Sequence, residues 1–89
     1  VQTVERATTL AEGSVKVHTV EHVISALTGM GIDNALIEMD ANEPPIGDGS
    51  ARPFVELIKK AGIQAQTAER KVWEIREPIH QEMGDGTII

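Results

Sequence analysis

The sequence predicts an α+β fold, on three observations. Two stretches carry apolar residues at helical spacing: Val20, Val23, Ile24, Leu27 and Met30 in one, and Phe54, Val55, Leu57, Ile58 and Ala61 in the other. Short extended segments rich in Val, Ile and Thr lie before and after them. Glycine and proline punctuate the joins. The implied order is β-β-α-β-α, followed by a linker and an unfinished β segment.

Each element has its own signal. Residues 4–17 read as two extended segments, VERATTL and SVKV, joined by AEGS, with Gly13 and Ser14 marking the turn of a hairpin. At His18 the period changes to that of a helix running to Met30. Thr19 stands where an N-cap belongs, and Gly31 stands at the C′ position. DNALIEMD (33–40) alternates loosely, with Ala35, Ile37 and Met39 on one side, and predicts a strand. ANEPPIGDGS (41–50) is a rigid, irregular loop. Ser50 is placed to cap a helix over 51–61, with Pro53 tolerated in its first turn and Gly62 ending it. QAQTAER (64–70) is polar and aperiodic, a linker. KVWEIREPI predicts a new strand with Trp73 and Ile75 on one face, and GDGTII the start of its return partner.

Composition narrows the function classes. At 89 residues the chain is one small domain or a piece of a larger one, and its opening at Val1 rather than Met predicts a piece. Its aromatics are Phe54 and Trp73 alone, so aliphatic residues must do most of the packing. A net charge of −6 with scattered Lys and Arg argues against duplex nucleic acid or an anionic membrane surface as a partner. Without cysteine there are no disulfides and no thiolate metal sites. No apolar run approaches the roughly 20 residues of a transmembrane helix, and no signal peptide is visible. A soluble, cytoplasmic protein is the expectation.

The chemistry concentrates in HTVEH, residues 18–22. On a helix of about 100° per residue, His18, Glu21, His22, Ser25 and Gly29 share the face opposite the apolar stripe. That face is ionisable at one end and small at the other, which suits a surface covered by another backbone or domain. Histidines four apart on a helix can share a metal ion, and a neighbouring carboxylate can take a proton from its water. Most helical histidines, however, are surface or satisfied core residues. The letters also fit the inverted zinc-protease motif H-x-x-E-H, with His18 and His22 as ligands and Glu21 as base. That fold needs a third ligand and a far longer chain. Both a self-contained metal site and a non-catalytic module with a partner-binding helix face therefore stay open on the residues alone.

The string from Thr19 onward carries several motifs in order: T-V-E-H at 19–22, G-I-D-N at 31–34, E-x-P-I-x-D-G-S spanning 43–50 with an additional proline, and P-F at 53–54. In this it resembles the zinc-dependent UDP-3-O-acyl-N-acetylglucosamine deacetylases, which commit their substrate to lipid A, and the likeness extends over about residues 8–63. The resemblance implies a two-layer α/β sandwich: a β-sheet with two helices packed on one face, here truncated at the N-terminus and followed by the start of a second, similar domain. Residues 1–66 would be most of the first domain, and 67–89 a linker with the first strands of the second.

Carried over residue by residue, the resemblance makes His22 one of three zinc ligands and Glu21 the general base acting on the zinc-bound water. Acetate would leave, and a glucosamine amine would remain. His18 is not a ligand in that family and becomes a helix-start residue near the site. The other two ligands, in an H-K-x-x-x-D segment, have no counterpart here. Arg6 and Ala7 align with a segment that lines the substrate mainly through backbone. Thr19 and Asp48 take supporting positions behind the ligand and base, although a turn and helix cap also explain Asp48 fully. Gly47 replaces a residue that is bulky in the family. Glu38, Asp40 and Glu43 read as a solvated acidic cluster, and His80 as a surface residue. The implied cofactor is Zn2+, and the implied partner is the nucleotide-sugar lipid UDP-3-O-acyl-GlcNAc. Open strand edges predict a homodimer of the isolated piece, which alone would be inactive.

Overall fold

The computed structural model describes residues 1–3 and 5–89; Val4, the first residue of the expected opening strand, lies outside the described residues. The α+β class holds: strands β1 (Leu10–Glu12) and β2 (Val15–Val17) are followed by helices α1 (Glu21–Gly29) and α2 (Arg52–Ala61). β1 and β2 form an antiparallel hairpin in the register Leu10↔Val17, Ala11↔Lys16, Glu12↔Val15. Gly13, at φ 60°, supplies the left-handed turn that a side chain would resist. The strand expected from residue 4 is shorter than the sequence suggests. The chain bends at Arg6, φ 57°, and folds back so that Thr3 bridges Thr9.

α1 starts later than its sequence signal. Thr19, expected to cap it, has φ 54° and lies outside the helix, and Val20 takes the N-cap position without a side-chain cap. The far end follows expectation. Gly31 at φ 69° donates to Thr28 O (3.1 Å) and Ile32 donates to Leu27 O (2.9 Å), the paired bonds of a Schellman motif. α2 has Ala51 at its N-cap, with Ser50 Oγ accepting from the Arg52 N–H at 3.2 Å. Asp48 Oδ1 in turn accepts from the Ser50 N–H (2.9 Å) and Ser50 Oγ (2.6 Å).

The two helices pack against each other, and the core sits where they meet. Val20, Ala26 and Phe54 are buried in it, and Pro44 of the following loop is buried as well. Ala26 is almost fully buried, whereas Ile24 is 43% exposed. Ile24 lines an open trough together with Val20, Val23 and Leu27, so the apolar stripe keeps its expected face. Ile24 is exposed because that face is left uncovered among the described residues.

Two expected strands do not form among the described residues. Residues 33–40 find no ladder partner, and neither do residues 71–79. An extended segment becomes a strand only by pairing, and no described segment offers an edge to either. The return hairpin near the end is present in outline: Gln81 and Ile89 exchange backbone bonds of 2.8 Å each, and Glu82 bridges Ile88. The linker is anchored. Arg70 donates to the Gly31 carbonyl (2.7 Å) and to Asp33 (3.0 and 3.1 Å), tying it to the exit of α1.

Candidate active site

The entrance to α1 gathers three separate pieces of chain. From the hairpin arm, Thr8 O accepts from the Val20 N–H (3.2 Å), and the Thr8 N–H donates to Glu21 Oε2 (3.0 Å). Beside it, the buried Thr9 hydroxyl lies 3.0 Å from His18 Nδ1. From the loop after residue 40, Asn42 O accepts from the His18 N–H (2.8 Å) and Glu43 Oε1 accepts from the Thr19 hydroxyl (2.5 Å). Residues 18–20 are thus fixed from both sides before the helix begins at Glu21.

Glu21 and His22 open α1, both half-buried. The Thr8 N–H, then Glu21's own N–H, hold the Glu21 carboxyl below the usual carboxylate range, and His22 adds a smaller pull. Glu21 is therefore ionised at neutral pH, and its place in the first turn favours that charge. The His22 ring has no hydrogen-bond partner among the described residues. A neutral imidazole in that position can act as a metal donor.

His18 behaves differently. It precedes α1, so it is not four residues before His22 along a helix, and its Nδ1 is engaged by Thr9. No group of three or more potential ligand side chains converges among the described residues.

The remaining sequence-derived candidates fall in two places. Arg6, exposed, and Ala7, half-buried, immediately precede Thr8, whose N–H holds the Glu21 carboxylate. Thr19 is at the helix entrance. Asp48 hydrogen-bonds only within its own turn, at the head of α2. Gly47, next to it, has φ 55°, and a Cβ there would lie 3.2 Å from Pro53 Cγ, so the loop is tight at that point. Two contacts carried no sequence signal, although Glu43 itself opens the motif at 43–50. Thr8 acts through its backbone, and Glu43 meets Thr19 across 24 residues, a contact invisible to periodicity.

The family model for "LpxC: UDP-3-O-acyl N-acetylglycosamine deacetylase" matches residues 1–89. The chain belongs to this family. Proteins named UDP-3-O-acyl-N-acetylglucosamine deacetylase are similar to it: that of Saccharophagus degradans is 54% identical over 79 residues, covering 89% of this chain and 26% of the relative. Those of Idiomarina loihiensis and Teredinibacter turnerae are 53% and 55% identical, covering 83% and 82% of this chain and 24% of each relative. The chain thus spans about a quarter of the length of these curated relatives.

Proposed function

We propose that this chain contributes the general base and one metal ligand to a zinc-dependent, cytoplasmic deacetylase that hydrolyses UDP-3-O-acyl-N-acetylglucosamine on the way to lipid A. One observation carries the reading: an ionised Glu21, steadied by the Thr8 N–H, stands beside an imidazole with no described protein partner. Family membership supplies the reaction to which such a pair is suited.

His22 would hold the metal through a ring nitrogen, alongside ligands from outside these 89 residues. Zinc, when bound, supplies a Lewis acid that polarises a carbonyl and acidifies water. Glu21 does the proton work. Oε2 stays fixed on the Thr8 N–H while Oε1 accepts the proton of the attacking water, and the same carboxyl then delivers it to the departing amine nitrogen. Water and acetamide become acetic acid and amine, which leave as acetate and ammonium once the acid proton passes to the amine, with Glu21 returned to its starting state. Arg6 and Ala7, one turn of chain from that carboxylate, would line the substrate. Residues 1–66 would form most of one domain, and 67–89 would lead into the next.

The test is acetate release from UDP-3-O-acyl-N-acetylglucosamine by the family-length protein carrying this segment. Glu21→Gln is expected to lower kcat roughly 100- to 10,000-fold with zinc content retained. No acetate from the unaltered protein, or undiminished turnover in Glu21→Gln, would overturn the assignment.

A further inference from the structure

The residue that feeds the chain into α1 sits in a conformation its side chain opposes. Thr19 has φ 54°, in the left-handed region, where a β-branched residue is a true outlier. Such strain persists only when the surroundings fix it, and it concentrates where function needs it. Three hydrogen bonds fix it here. His18 N–H to Asn42 O and Val20 N–H to Thr8 O are backbone bonds that many side chains would permit. The third, from the Thr19 hydroxyl to Glu43 Oε1, requires these two side chains.

That third bond is exposed, so water competes for both partners and its effect on global stability is small. Its effect on direction is larger. Two residues after Thr19 comes Glu21, whose carboxylate must meet the Thr8 N–H, and then His22. If Thr19 relaxed to the ordinary helical or extended region, the chain would enter α1 at another angle and carry both side chains with it.

We propose that Thr19 and Glu43 form a latch, with Glu43 a positioning residue that holds the left-handed turn and thereby aims Glu21 and His22. The inference rests on the roles given to Glu21 and His22 above, but it adds a residue that otherwise reads as one of a solvated acidic group. A hydroxyl and an acceptor oxygen are what the latch needs, so charge is dispensable. Thr19→Ser and Glu43→Gln keep it, whereas Thr19→Val and Glu43→Ala break it.

The experiment uses the zinc-loaded, family-length protein and two readouts: steady-state kinetics and the NMR resonance of the Thr8 amide. Thr19→Val and Glu43→Ala are each expected to lower kcat roughly 10- to 100-fold, the scale of a misplacement of about 1 Å, with KM and melting temperature little changed. The double variant should be no worse than either single, since both remove one interaction. Thr19→Ser and Glu43→Gln should retain turnover. The Thr8 amide should shift and exchange faster in the two broken variants only. An unmoved Thr8 amide, or kcat losses that add in the double variant, would overturn the latch. If the unaltered protein released no acetate, the proposed function would fail, and the Thr8 amide would still decide the latch.

Discussion

At the scale of single residues, short-range hydrogen bonds lower the pKa of two carboxylates, from different donors. Glu21 owes its lowered pKa first to the Thr8 N–H, a donor that no side-chain motif encodes. Asp48 is lowered first by the Ser50 hydroxyl, then by the Ser50 N–H, with Arg52 contributing least. A depressed carboxylate contributes stability that is present above its unfolded value and lost as pH falls through its folded value. For Asp48 that window lies below the ordinary 3.8. An NMR titration of Asp48 should therefore show a midpoint below 3.8, and Ser50→Ala should raise it. A midpoint unmoved by Ser50→Ala would show that the hydroxyl is not the main cause. TVEH is what singles out Glu21 and His22 as candidates. Their restraints were not legible there, because Thr8 and Glu43 are 13 and 24 residues from their partners.

At the scale of elements, helices were more legible than strands, and the reason is where their bonds close. α1 and α2 satisfy their backbone within a few residues, so apolar spacing and terminal glycines locate them to within about two positions. Both helix starts were misjudged in the same direction. Thr19 and Ser50 were expected to cap, and each lies one residue before the observed N-cap. Residues 33–40 have the composition of a strand, but a ladder needs a partner that their own sequence cannot specify. Gly62 closes α2 at φ 90°, with its N–H on Ile58 O at 2.9 Å. Gly62→Ala places a Cβ at φ 90° and ψ 159°, a region essentially confined to glycine, with open space around it, so its cost is conformational alone, on the order of 1–3 kcal/mol. Urea denaturation of the family-length protein should show this loss, and an unchanged midpoint would mean that the chain leaves α2 by another route.

At the scale of the whole molecule, these 89 residues do not close on themselves. Their surface is 8140 Å², against about 5100 Å² for a compact protein of this mass. The Cα radius of gyration is 17.0 Å, against about 12 Å. Trp73 is 97% exposed and Leu36 87%. Between the apolar faces of α1 and α2 and the segments that follow them lies an open trough of 1940 Å³. Such an open shape agrees with a chain that spans about a quarter of its relatives' length. The α+β class was readable from spacing. The sparse core was not, since periodicity reports which face is apolar and not whether anything covers it. The most direct measurement is a calorimetric titration of zinc into the 89-residue chain, beside His18→Ala and His22→Ala. One orphaned ligand should give binding too weak to saturate at micromolar zinc, with whatever heat there is lost in His22→Ala and kept in His18→Ala. Tight one-to-one binding abolished by either substitution would mean that the two histidines form a complete site of their own, contradicting a centre finished by the rest of a deacetylase.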